Sequence, residues 1–195
     1  MSPAMAPLQA LVSEFGPVAS SRWFGTADRV ELALLARLAG PVLEVGCGPG
    51  RLVEALIREG TMALGIDVAP IAVRAAFRRG VPVLNRCVFD PLPGEGDWAS
   101  AVVLDGSIGI GGDPHSLLAR VHELLRPDGV VLVEVEPPGS GLVRRVLRDG
   151  APWACVDADH IGGLARQAGF AVITSEWLGG RCFAWLGRGP SGPWG

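Results

Sequence analysis

At 195 residues the chain is long enough for one full domain and short for two, and 49% hydrophobic content with 19% charged residues fills a core and argues against disorder over most of the length. The formal net charge of −3 gives no electrostatic basis for nucleic acid or an acidic membrane surface as the main partner. No apolar run reaches the roughly 18 residues of a membrane-spanning helix, and the N-terminus lacks the basic-then-apolar order of a signal peptide, so a cytoplasmic protein is expected.

In chain order, residues 1–7 show no periodicity and are expected to be loose, Leu8 to Phe15 suggests a short helix, and Ser20-Ser21 a turn. A clearer helix runs from Asp28 to Ala39, with Asp28 as N-cap, Glu31 three residues later and Gly40-Pro41 as the stop. Residues 1–40 thus precede the first central strand and are free to cover the carboxyl edge of a sheet as a partial lid. The core is expected over 41–187 and a flexible tail over 188–195.

The core opens with V-L-E-V-G-C-G-P-G-R-L, Val42 to Leu52. An apolar run suited to a central strand is followed by glycines at alternate positions, then by apolar residues 52, 53, 56 and 57 on one helical face. Glycine lets the backbone turn tightly and approach a ligand. Thr61 to Val68 reads as a second strand ending in Asp67, and Pro70 opens a helix reaching Gly80. Val81 to Phe89 and Trp98 to Leu104 read as the third and fourth strands. The loop D-G-S-I-G-I-G-G-D, Asp105 to Asp113, leads into a helix capped by Asp113, with Leu117, Leu118, Val121, Leu124 and Leu125 on one side. Val130 to Val135 is a fifth strand. Leu142 to Arg148 is expected as a helix with Arg144, Arg145 and Arg148 on a solvated face, and Asp159 as the cap of a further helix through Ile161, Leu164, Ala165 and Ala168. Phe170 to Leu178 and Arg181 to Leu186 flank Gly179-Gly180, a hairpin signal. Five strands with helices between them imply a parallel sheet, and the hairpin adds one antiparallel strand.

Two cofactor classes fit a strand, glycine turn and helix. A dinucleotide corner wants a small residue where this chain has Arg51. Glu44 would oppose a pyrophosphate and suits a cation, which favours a positively charged nucleoside. Cysteines 47, 87, 155 and 182 form no C-x-x-C pair and have no histidine at ligand spacing, so they are expected as small buried hydrophobes, with no metal site.

With Glu44, Gly46, Gly48 and Gly50, the acid at the end of the second strand, L-R-P-D-G-V before the fifth and A-G-F before the hairpin, the chain from Val42 to Leu186 resembles the class I S-adenosylmethionine-dependent methyltransferases. The resemblance implies an α/β fold with a seven-stranded Rossmann-like sheet of order 3-2-1-4-5-7-6, strand 7 antiparallel and helices on both faces. It implies S-adenosyl-L-methionine as cofactor, held at the turn of Glu44, Gly46, Cys47, Gly48 and Gly50. Asp67 would take both ribose hydroxyls with Val68 beside the adenine, although Asp67 also stands where it would cap the next helix. Where the family has an acid near the adenine amino group this chain has Val88; Phe89 and Asp90 are the nearest candidates, with Asp90 as a turn-former the alternative. Asp105, Gly106 and Ser107 would lie along the methionine part.

The chain lacks the Asn/Asp-Pro-Pro-Tyr/Phe signature of base methylation and an acidic set for a magnesium site. The acceptor is expected to be a small molecule, with neither nucleic acid nor membrane as partner. His115 and His160 are candidate bases or acceptor contacts, each set against an ordinary role, and His122 is expected to be structural. Trp23, Phe24 and Trp153 are candidate walls of an acceptor pocket, with core packing as the alternative. The rival readings are a nicotinamide-dependent oxidoreductase, disfavoured by Arg51 and by the lack of any tyrosine, and a non-catalytic cofactor-binding subunit.

Overall fold

A computed structural model of the chain describes residues 23–147 and 149–188. The readings for 1–7, Leu8 to Phe15 and Ser20-Ser21, for Arg148, and for the tail past Arg188 lie outside the described residues. The strands are β1 (Val42–Val45), β2 (Ala63–Asp67), β3 (Val83–Asn85), β4 (Trp98–Val103), β5 (Leu125–Val135), β6 (Leu142–Val146), β7 (Pro152–Val156), β8 (Phe170–Leu178) and β9 (Arg181–Arg188). The helices are α1 (Arg29–Leu35), α2 (Arg51–Arg58), α3 (Pro70–Arg79), α4 (Pro114–Leu124) and α5 (Ile161–Gln167), with a 3-10 segment over Ser107–Gly112.

Seven strands make one mostly parallel, Rossmann-like sheet in the order β3-β2-β1-β4-β5-β9-β8. The first five run parallel, and β9 lies antiparallel between β5 and β8. The order differs in detail from the expected 3-2-1-4-5-7-6 because β6 and β7 enter the chain before the final pair. They form a separate antiparallel hairpin, so the antiparallel strand of the sheet is the ninth.

Alternation along the strands assigns side chains to two buried clusters. Ala101, Val103, Val131 and Val133 pack with Leu117, Leu118 and Val121 of α4 and with Ile161 and Ala165 of α5. Val102 and Leu132 pack with Leu34 and Leu35 of α1, Leu52 and Leu56 of α2, and Val73 and Ala76 of α3. Asp28 and Glu31 close the expected capping box at the start of α1. No helix among the described residues is long and apolar enough to cross a membrane.

Three local expectations are corrected. The helix expected over Leu142 to Arg148 is strand β6, whose residues find partners in β7 from Leu142 opposite Val156 to Val146 opposite Pro152. The helix from Asp28 ends at Leu35 rather than Ala39. Asp159 does not cap α5: the buried carboxylate of Asp157 accepts the His160 N–H at 3.1 Å, while Asp159 accepts the Gly139 N–H at 3.0 Å.

The hairpin packs on the 3-10 segment, which explains Gly109 and Gly112 there. A Cβ on Gly109 would lie 2.0 Å from the Ala154 carbonyl oxygen and 2.5 Å from Trp153 Nε1. A Gly109→Ala variant is therefore expected to lose about 1–3 kcal/mol of stability through overpacking, read as a lower urea-unfolding midpoint; an unchanged midpoint would mean that the hairpin is not docked this closely.

Glu44 lies buried on β1, and its carboxylate accepts the Val53 N–H of α2 at 3.1 Å. Burial pushes its pKa up to about 8, against the lowering effect of Arg51 and with the help of the Asp105 and Asp67 charges. Between the unfolded value of 4.5 and about 8 the folded chain holds the extra proton, so this group's stabilisation is present at low pH and is lost as pH rises through that window. Glu44→Gln is expected to flatten the fall of Tm between pH 5 and pH 9, and parallel Tm curves for the two proteins would show that Glu44 is ionised in the fold.

Candidate active site

The carboxyl ends of β1, β2 and β4 open into a cavity of about 340 Å³. Gly46 and Gly48 take φ of +70° and +53°, and a Cβ on Gly46 would lie 2.6 Å from Ser107 Oγ, so the turn after β1 sits directly against the loop after β4. Asp67 closes β2 and ties this corner together: one carboxylate oxygen accepts the Gly48 N–H at 2.8 Å and the other the Ala69 N–H at 2.7 Å. Burial raises its pKa and outweighs the lowering by those N–H groups.

Of the residues expected around a cofactor, Gly46, Gly48, Asp67, Val68, Phe89, Asp105 and Ser107 line this cavity, and Gly106 lines an adjoining one. Val68 and Phe89 are 64% and 43% exposed, apolar surface available to a ligand. Glu44, Cys47, Gly50 and Asp90 do not line it. Glu44 braces α2 from below, as described. Cys47 packs beneath the turn, where a Cβ on Gly65 would come within 2.6 Å of its Sγ. Gly50 opens α2 at φ +79°, and a Cβ there would lie 2.6 Å from Val81. The Asp90 carboxylate accepts the Cys87 N–H at 3.3 Å in an exposed turn.

A buried ion network ties α1 to the ends of β4 and β5. Glu31, with no exposed surface, is bonded by Arg51 and, at 2.9 Å, by Arg181. Arg51 also bonds Asp105. Arg181 donates twice to Glu134 at 2.7 Å and lies 3.6 Å from Asp105. The Asp105 N–H donates to Glu134 at 2.8 Å. Burial opposes the charge on Arg181, but Glu134 and Glu31 outweigh it and push its pKa up. Asp105 holds a left-handed φ of +54°, uncommon for a residue with a side chain; its burial raises its pKa against the pull of Arg51. The part played by Arg181 is not marked in the sequence, where it reads only as the first residue after a Gly-Gly turn.

The adjoining cavity, of about 210 Å³, shares Trp23, Asp105 and Trp153 with the first. The histidines stand apart: neither His115 nor His160 lines either cavity. His160 Nδ1 pairs with Asp157 at 2.6 Å. Burial would raise the pKa of Asp157, but the Gly141 N–H and the His160 ring and N–H hold it at about 2. His122 meets the Phe170 ring edge-on at 5.0 Å, as expected of a structural residue.

The model of a family described as a methyltransferase domain matches residues 25–175. The release factor glutamine methyltransferase of Rhodospirillum rubrum is 34% identical, over 59% of this chain and 45% of that protein. A ubiquinone biosynthesis O-methyltransferase of Chromobacterium violaceum is 32% identical, over 74% of this chain and 70% of its own. The chain thus spans less than half the length of the first relative and about two thirds of the second. Among solved structures, Burkholderia thailandensis 1,6-didemethyltoxoflavin-N1-methyltransferase, with bound 1,6-didemethyltoxoflavin and S-adenosylhomocysteine, has the same fold: TM-score 0.70 at 21% identity, over 96% of this chain and 91% of that one. With a glycine turn answered by Asp67 and a family match over most of its length, the chain belongs to the class I S-adenosylmethionine-dependent methyltransferases.

Proposed function

We propose that the chain transfers a methyl group from S-adenosyl-L-methionine to a small-molecule acceptor by in-line displacement. The observation that carries the reading is Asp67. Each of its carboxylate oxygens already accepts one backbone N–H at the cavity wall and keeps a second acceptor position. A pair of adjacent hydroxyls, as on a ribose, matches that pair of acceptors. The exposed apolar faces of Val68 and Phe89 suit a purine, and Asp105, Gly106 and Ser107 would border the amino-acid part.

The bound cofactor supplies a methyl group already activated on a sulfonium, and the protein's task is to hold the acceptor in line, an orientation effect worth about 7–11 kcal/mol where the alignment is best. His115 and His160 stand outside both cavities, so the reading rests on orientation rather than on a histidine base. Residues 1–40 would serve as a partial lid over the 41–187 core, with 188–195 as a tail. The described end of that lid brings Trp23 and Phe24 to the cavity. A small acceptor agrees with a net charge that offers nucleic acid no electrostatic basis and with a relative named for ubiquinone biosynthesis, and a cytoplasmic location is part of the same reading.

Asp67→Ala is expected to weaken S-adenosylmethionine binding at least tenfold, the loss of roughly one charge-assisted hydrogen bond, with an unchanged circular dichroism spectrum. Calorimetric affinity equal to the unsubstituted protein would show that the corner is misassigned.

A further inference from the structure

The second cavity is not needed to hold a nucleoside, yet it opens onto the first at three shared residues, Trp23, Asp105 and Trp153. Two of these are indoles. Trp23 comes from the segment before α1 and Trp153 from the hairpin, and Trp153 is seated by the glycines of the 3-10 segment, which have no side chain to displace it. Indole faces favour a flat ring over a saturated one of equal bulk. The remaining wall includes Ile108 and Val156, both buried. Glu134, already held by Arg181, also lines it, and two exposed residues of opposite charge, Glu136 and Arg145, offer a polar edge to whatever enters.

We propose, on the methyltransferase reading above, that this second cavity is the acceptor chamber and that it takes a flat, ring-bearing small molecule of one or two rings. The acceptor enters with its nucleophilic oxygen or nitrogen toward the junction at Trp23 and Trp153. There its lone pair forms the new bond to the methyl carbon, the electrons of the breaking carbon–sulfur bond remain on sulfur, and the acceptor's proton leaves to water. Trp153 and the hairpin thereby become the specificity element of the fold, and the glycine-rich run Asp105 to Asp113 is the seat that holds that element against the sheet.

Cys155 gives a way to close the chamber alone, because it lines the second cavity and not the first. The test is calorimetry on protein loaded with S-adenosylhomocysteine, using 2-naphthol and its saturated counterpart 2-decalol as probes. Binding of 2-naphthol at least tenfold tighter than 2-decalol, reduced at least tenfold by Cys155→Phe with S-adenosylhomocysteine affinity within twofold of the unsubstituted protein, is the expected result. Equal binding of the two probes, no measurable binding of either, or a 2-naphthol affinity untouched by the filling substitution would overturn the proposal. Should Cys155→Phe fail to fold, Cys155→Leu fills the same space with less bulk and is expected to weaken binding in the same direction. Failure of S-adenosylhomocysteine itself to bind would instead strike at the methyltransferase reading, so the two failures are told apart.

Discussion

A carboxylate taken wholly out of water is tolerated only where other groups replace its hydration, and Glu31 meets that condition with two arginines drawn from distant parts of the chain. Arg51 comes from the helix that follows the glycine turn and Arg181 from β9, the antiparallel strand between β5 and β8. Each arginine reaches onward, Arg51 to Asp105 and Arg181 to Glu134, at the carboxyl ends of β4 and β5. One buried residue of the N-terminal helix therefore sets the ends of two central strands. Breaking such a set on one side strands charges in the interior at a cost of about 3–5 kcal/mol, so the helix, the glycine corner and the loop after β4 hold their positions together.

That constraint gives Asp105 its place. Its backbone occupies a region that residues with side chains seldom adopt, its N–H is held by Glu134 and its carboxylate by Arg51. The result is a fixed post between two cavities, with a tryptophan from the N-terminal segment and another from the hairpin beside it. On the reading proposed above, the first cavity, with Asp67 in its wall, would take the nucleoside and the second the acceptor, the two sharing Asp105 and the tryptophans.

Much of this was legible in the sequence because it depends on local pattern. The alternating glycines, the acid ending β2 and the apolar runs of the central strands each announce a backbone requirement or a two-sided burial, and the capping box at Asp28 and Glu31 can be read from spacing alone. The hairpin was not legible. Leu142 to Val146 carries two arginines between valines, and only its pairing with β7 decides for a strand. Glu44 illustrates another limit: its place in the motif suggests a ligand contact, whereas the fold turns its carboxylate to the Val53 N–H behind the turn. Arg51 and Arg181 gain their significance from partners 20 to 150 positions away in the chain, and no window of sequence contains such a relation.

The glycine corner separates a sulfonium nucleoside from a dinucleotide by Arg51, which stands where a pyrophosphate-binding turn wants a small residue and which here is committed to Glu31 and Asp105. The most direct measurement is a calorimetric titration of the unsubstituted protein with S-adenosylmethionine, S-adenosylhomocysteine and NAD in parallel. Saturable binding of the two nucleosides with no heat from NAD is the predicted result, and saturable NAD binding without either nucleoside would contradict the account.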